Sequence, residues 1–384
     1  MEILARHLER NVTADFGDYR LSHQIEFRLS YRNLPEWMQR PQLLKVLLMK
    51  SLFLKILTYF VSMVLALWTA GAIFYDVGSG GASGVVLAAA WIALVLAAFF
   101  FLKPPWKPLV LLLIVFAFFS IWWFSQEPSQ HRNWDPHCTS LSHITLEGDA
   151  ITIKNVRNSE YHAIGDSTPR YETRDYRLSQ LHGVDVLILN WGSPWMSHPM
   201  FVFDFGPDGR ICISIEVRYR VGQEFSLLRS LYRQQELIYI VSDERDAILR
   251  RTKYLEGHNL HLYRLLADAL VVRQFFLEYA NTINALAQTP RWYHGLTTNC
   301  STSIYAQGRG RMRWDWRMLF NGTLDRLMYD RKLLEQGLPF EQLKELSLIN
   351  EIANQAPSGG FGDYLRQKLP GYRLDRDEAG KTAH

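Results

Sequence analysis

The residues best able to do covalent chemistry are Cys300 and His198. Cys300 lies in Thr298-Asn299-Cys300-Ser301, where an apolar segment breaks and a short polar helix is expected to begin. A helix start presents unpaired N–H groups and the positive end of the helix dipole, and both favour thiolate over thiol. A thiolate nucleophile needs a base, and His198 stands at the mouth of the strand pattern Pro199-Met200-Phe201-Val202-Phe203-Asp204-Phe205. The turn signal Gly206-Pro207-Asp208-Gly209 then folds the chain back as Ile211-Cys212-Ile213-Ser214-Ile215-Glu216. That hairpin returns Glu216 toward the His198 end, which makes it a candidate orienter of the imidazole. Whether the two side chains share a face turns on a one-residue register that the sequence leaves open, and a carboxylate in solvent or paired beside Arg218 is the competing role. Cys300 and His198 also have plain roles, as a buried small hydrophobe and a structural histidine.

Other clusters carry less. His131, His137 and Cys138 lack metal-ligand spacing and an acidic partner, and His258 and His261 read as structural, so no metal or other cofactor is expected. Ser358-Gly359-Gly360 is followed by Gly362 but by no Lys-Ser or Lys-Thr, which argues against a phosphate-cradling loop. The net charge of +4 over 384 residues, with no basic stripe interleaved with aromatics, gives no electrostatic case for a nucleic-acid partner. Three cysteines are too few for a disulfide scaffold, although a Cys138–Cys212 pair remains open.

The elements that must position these residues fall into two materials. Residues 1–50 are polar and of mixed charge, and are expected to be a cytoplasmic segment, with Pro41–Lys50 a short amphipathic helix. Residues 51–125 hold three apolar stretches, Leu54–Phe74, Gly84–Leu102 and Leu109–Phe124, each close to the ~20 residues that cross a bilayer. Arg40, Lys45, Lys50 and Lys55 precede the first, Lys103 and Lys107 fill the turn between the second and third, and Asp76–Ser83 has neither Lys nor Arg. The positive-inside rule therefore puts everything after Phe124 outside, with Trp122, Trp123 and Phe124 as interfacial anchors. Residues 126–142 read as a linker, 143–372 as the exported domain and 373–384 as a disordered tail.

In the exported domain, strands are predicted around Ile144–Leu146, Ile151–Ile153, Val184–Leu189, Pro199–Phe205, Ile211–Glu216, Leu237–Val241 and His261–Tyr263. Ser242-Asp243-Glu244 should cap a helix through Arg251, and a long amphipathic helix is predicted over Ala267–Gln288. Further helices are expected at Asp325–Gln336, Phe340–Gln355 and Asp363–Lys368.

Six ordered blocks of this domain resemble a bacterial envelope family, the Lnb N-terminal periplasmic domain, over roughly residues 140–350. They are Asn155-Val156-Arg157-Asn158, Arg174-Asp175-Tyr176 to Leu178, Ser197-His198, Ser214-Ile215-Glu216-Val217-Arg218, Asp243-Glu244-Arg245-Asp246 and Thr297-Thr298-Asn299-Cys300-Ser301-Thr302. The resemblance implies an α+β, permuted papain-like (NlpC-type) thiol-enzyme domain with an antiparallel sheet, here preceded by three transmembrane helices. It implies Cys300 as nucleophile, preceded by Asn299, with His198 as base. The order of parts departs from the family's namesake, in which this domain precedes the membrane helices. The expected activity is that of a membrane-anchored periplasmic acyltransferase or lipase, acting through a thioester on acyl esters of a lipoprotein or phospholipid at the bacterial inner membrane. Trp191, Trp195, Met196 and Met200 are candidates for an acyl-accepting wall, with plain core packing as the other reading. A cell-wall peptide amidase and a non-catalytic envelope scaffold are the alternatives.

Overall fold

The computed structural model describes residues 41–191, 193–255, 257–298, 315–318, 321–370 and 372. Two compact units divide them. The first contains the chain up to Ala70 together with Ala89–Phe119; the second contains Gly71–Ala88 and everything from Ser120 onward.

Three helices, α1 (Pro41–Ala72), α2 (Ala82–Phe101) and α3 (Trp106–Ser125), are each long and apolar enough to cross a membrane. The short helix expected at Pro41–Lys50 runs without a break into the first span as part of α1. A π-helical turn, Ile73–Val77, extends α1 past Phe74. Inside the first unit, Trp91 Nε1 donates to the Ala66 carbonyl at 3.0 Å, and Trp68 meets Phe116 edge-on at 5.4 Å. Phe100 and Phe101 remain about three-quarters exposed, as expected of side chains that face hydrocarbon rather than a protein core.

Among the described residues, the second unit holds ten strands: β1 (His143–Glu147), β2 (Ala150–Arg157), β3 (Glu160–Ala163), β4 (Asp166–Thr168), β5 (Tyr171–Arg177), β6 (Gly183–Asn190), β7 (Ser197–Asp204), β8 (Arg210–Arg218), β9 (Glu236–Asp243) and β10 (Asn259–Arg264). The main sheet runs β1-β2-β9-β8-β7-β6-β10, with β5 added to β2 and β3–β4 a separate hairpin. All its pairings are antiparallel except a single parallel bridge from β2 to β9, Arg157 to Ser242. The chain is thus a mixed α/β protein with three candidate membrane spans and a sheet-rich domain.

Alternation along the strands divides the interior. Phe201, Phe203, Ile211, Ile213 and Ile215 face the long helix α5 (Ala269–Gln288), which buries Val272, Phe276, Tyr279 and Ile283 against them. Asp268 caps α5 by accepting from the N–H groups of Leu270 and Val271. The opposite face, with Met200, Val202, Cys212 and Leu262, packs against short helices α4 (Glu244–Leu249), α8 (Asn350–Gln355) and α9 (Phe361–Lys368).

Several expectations are corrected. The stretch 126–142 is no loose linker: Trp134, His137, Cys138 and Ser142 are buried, and Arg218 donates to the carbonyls of Cys138 (3.0 Å) and Thr139 (2.6 Å). Its backbone covers a guanidinium that would otherwise be stranded next to the sheet. The single helix expected at Phe340–Gln355 is broken into α7 (Phe340–Leu346) and α8, because Leu348 between them forms an isolated antiparallel bridge to His261 at the edge of β10. There Leu262 N–H donates to Ser347 O at 2.9 Å and Ile349 N–H to Leu260 O at 3.0 Å, so an otherwise open strand edge is covered. The helix expected at Asp325–Gln336 is α6, Leu324–Asp330. Cys138 and Cys212 are both free thiols in different buried clusters, so no disulfide joins them.

Candidate active site

Between β7 and β8 the register pairs Met200 with Ser214 and Asp204 with Arg210. Two residues further along the same register, His198 falls opposite Glu216. Side chains opposite one another share a face, and Ser214, two residues before Glu216, shares it as well. The register left open by the sequence is therefore the one that brings the imidazole and the carboxylate together.

The resulting hydrogen bonds have a direction. Ser214 Oγ donates to Glu216 Oε1 at 2.7 Å and lies 2.8 Å from His198 Nε2, which is itself 3.3 Å from Glu216 Oε1. A hydroxyl that gives its only proton to a carboxylate must accept from the ring, so this arrangement assigns the ring proton to Nε2 and the basic lone pair to Nδ1. Arg251, buried on the π-helical turn Arg250–Tyr254 that follows α4, donates through Nη2 to the same Glu216 oxygen. Burial by itself would raise the Glu216 carboxyl, but Arg251 and then the His198 ring hold it well below the ordinary glutamate range. The guanidinium paired with Glu216 is thus Arg251 and not the neighbouring Arg218, which is occupied by the 138–139 carbonyls and stacks on Trp134 at 4.3 Å.

A second buried cluster fixes the element that carries Arg251. Asp246 on α4 accepts from Arg157 Nε at 2.8 Å, Ser159 N–H at 2.7 Å and the Tyr161 hydroxyl at 3.2 Å. Arg157 also donates to the His137 carbonyl at 3.1 Å. Asp243 caps α4 through the N–H of Arg245 at 2.8 Å and pairs with Arg174 at 2.6 Å. Five of the six sequence blocks, those at 155–158, 174–178, 197–198, 214–218 and 243–246, therefore supply partners to these polar clusters.

The strand start beside His198 is clamped from another direction. Ser197 N–H donates to Asn321 Oδ1 at 2.8 Å and Ser197 Oγ to Asn321 O at 2.6 Å. Gly322 lies against the 194–195 backbone, where an added Cβ would come within 2.1 Å of the Pro194 carbonyl oxygen. Asn299 and Cys300 lie outside the described residues. Of the four candidates for an apolar wall, Met200 is plain core, buried against α4, α8 and α9, whereas Trp195 is 63% exposed.

Among the described residues no group of three or more His, Cys, Asp and Glu side chains is arranged to hold a metal ion. His137 is committed to Ser167 Oγ at 2.7 Å, and burial lowers its pKa to about 4. An open cleft of about 700 Å³ does exist, but it is lined by Arg174, Gly206, Arg210 and Gly360 at the turn end of the β7–β8 hairpin. Six residues of strand, about 20 Å, separate that end from His198, so the cleft and the polar triad are different places.

Residues 167–316 match the family model of the Lnb N-terminal periplasmic domain. That segment of the chain is similar to this domain. No curated protein and no solved structure matches the chain. The match covers His198, Ser214, Glu216, Arg251 and Cys300, and begins after Arg157, although Arg157 is the buried partner of Asp246 within it. The folded sheet thus reaches beyond the matched segment to β1 and β2. With three candidate spans and a periplasmic-domain match, the chain is a membrane protein with a periplasmic domain.

Sequence reasoning found His198 and Glu216 but missed Ser214 and Arg251. The signal for Ser214 was available, since a polar residue two positions from Glu216 in an apolar strand must share its face. Arg251 had no such signal, because its approach to Glu216 depends on how α4 crosses the sheet.

Proposed function

We propose that this Lnb-domain protein is a periplasmic Cys-His acyltransferase or lipase-like enzyme of the bacterial inner membrane, acting on acyl esters of lipoprotein or phospholipid. The observation that supports it best is the His198–Ser214–Glu216–Arg251 chain. It commits Nε2 to a carboxylate kept ionised and presents Nδ1 as the proton-accepting nitrogen, as a thiol base requires.

In this reading Nδ1 of His198 takes the Cys300 proton. The thiolate attacks the ester carbonyl, the ester C–O bond breaks, and the leaving alcohol receives its proton from the imidazolium. The acyl group is then a thioester on Cys300. An amine, hydroxyl or water attacks it, gives its proton to His198 and releases the thiolate. Glu216 stabilises the imidazolium formed in each half-reaction, and Arg251 keeps Glu216 from taking a proton itself. Asn299 immediately precedes the nucleophile, and backbone N–H groups at the expected helix start would receive the oxyanion. In the resemblance on which this reading leans, the domain has a permuted papain-like fold.

The test is the full chain in its membrane, incubated with acyl-labelled lipid and, separately, with muropeptide. Cys300→Ser should trap or lose the acyl-enzyme and Cys300→Ala should abolish labelling. Turnover of peptide alone would replace the lipid reading by an amidase, and labelling unchanged in both variants would leave a non-catalytic scaffold.

A further inference from the structure

The connection between β8 and β9 makes a second polar site, away from His198, where the chain leaves the candidate spans. Asp76 is the penultimate residue of the first span, Lys45–Val77, and Gln126 directly follows the third, Trp106–Ser125. Asp76 accepts from Gln234 Nε2 at 2.7 Å and from Trp123 Nε1 at 2.7 Å, so both its oxygens are occupied. Tyr75 stacks on Tyr232 at 5.1 Å. Trp123, expected as an aromatic anchor at the outer interface, is buried here against protein groups.

A cavity of about 410 Å³ opens here, lined by Arg132, Arg220, Arg229 and Arg233 and by only two carboxylates, Asp76 and Glu127. Arg132 is paired with Glu236 at 2.7 Å, and Arg233 donates to the Gln126 carbonyl and lies 4.5 Å over Trp123. Among the described residues, the guanidinium groups of Arg220 and Arg229 have neither a hydrogen-bond acceptor nor an ion-pair partner. Burial, and then the charge of Arg132, lowers the Arg220 pKa from its ordinary value, as expected of a cation short of counter-charge. The same connection exposes large apolar side chains, Val221, Phe225, Leu227 and Leu228, the last at 61%. Residues that follow directly on a membrane span lie at headgroup depth, where apolar side chains enter the interface and arginines meet phosphate.

We propose that the Arg132–Arg220–Arg229–Arg233 cavity binds the phosphate of an anionic phospholipid headgroup, with the 221–228 loop seated in the membrane interface beside it. Two guanidinium groups without acceptors favour a headgroup of net negative charge over a zwitterionic one. The cavity stands on its own residues, and it holds whether or not Cys300 is a nucleophile.

The test uses the purified full chain in detergent micelles. Binding of short-chain phosphatidylglycerol, short-chain phosphatidylcholine and inorganic phosphate is compared for the wild type and for Arg220→Gln/Arg229→Gln. The wild type should prefer phosphatidylglycerol, and the double variant should lose at least about tenfold in that affinity while phosphatidylcholine binding stays unchanged, since paired phosphate contacts carry the charge-dependent part of binding. Equal binding of the two lipids by the wild type, or an undiminished preference in the variant, overturns the proposal. Inorganic phosphate displacing phosphatidylglycerol mole for mole would make this a soluble-phosphate site and overturn the lipid assignment. Should the double variant melt at lower temperature, salt decides on the wild type. Its phosphatidylglycerol affinity must fall about tenfold between roughly 50 and 500 mM salt, and a flat response is equally fatal.

Discussion

The two faces of the main sheet are made by alternate residues of the same strands, yet they do opposite work. The face toward α5 is dry and aromatic: Phe203 meets Phe276 at 5.3 Å and Phe201 meets Phe275 edge-on at 5.1 Å. The face toward α4 and α9 holds three buried ionic clusters: His198–Glu216–Arg251, Arg157–Asp246, and Arg366 with Asp185 and Glu244. Burying ions is unfavourable unless they are paired and hydrogen-bonded, so this layer contributes less to net stability than its bond count suggests. What it does contribute is fixed positions for charges, and in Lnb-domain terms it is where the sequence blocks converge.

That contrast can be broken experimentally, beginning with the largest effect. Glu216→Gln should lower acyl turnover by roughly 10² to 10⁴, because the ring loses the ionised partner that sets its tautomer and stabilises its charged form. Turnover within a few-fold of wild type would remove Glu216 from the mechanism. Asp246→Ala should cost about 3–5 kcal/mol in chemical denaturation, since it leaves the buried Arg157 charge unpaired. Phe276→Ala on the dry face should cost about the same, 3–5 kcal/mol, by leaving a cavity. The faces differ in repair: replacing Arg157 and Asp246 together by apolar residues should recover most of the loss, whereas no second change across from Phe276 restores it without refilling the volume.

Acid should also destabilise the domain, through two buried histidines on opposite sides of the sheet. Burial lowers His137 and His261 to about 4, against an unfolded value near 6.5. Below pH 6.5 the unfolded chain binds protons that the folded chain refuses, so stability is complete above that pH and declines as pH falls toward 4. The loss approaches about 3 kcal/mol for each histidine, taking 1.36 kcal/mol per unit. Denaturation midpoints at pH 7.5 and 5 should show a smaller decline in His137→Gln, and an unchanged slope would mean that imidazole is not the source. The smallest effect is expected from Ser214→Ala, about 1–2 kcal/mol for its two hydrogen bonds, with the His198–Glu216 contact retained.

Much of the fold was legible because it depends on local periodicity. The three spans, the β7–β8 hairpin and α5 follow from apolar runs, a turn tetrapeptide and helical spacing, each readable within a single segment. The charged strands β3 to β5 were missed, because Glu160–Arg177 lacks the apolar alternation that marks a half-buried strand. The break at residues 347–349 was missed as well, since it exists to cover the distant edge of β10.

The sequence by itself determined that the chain has three apolar spans followed by a polar, strand-rich domain, and that His198 and Glu216 stand at the same end of one hairpin. Tertiary structure alone decided that those two share a face, that Arg251 rather than Arg218 pairs with Glu216, and that Arg157 is neutralised by Asp246. The physical reason is range. Periodicity and turn chemistry act within a few residues of backbone, whereas the pairing of a buried charge is set by whichever element crosses above it.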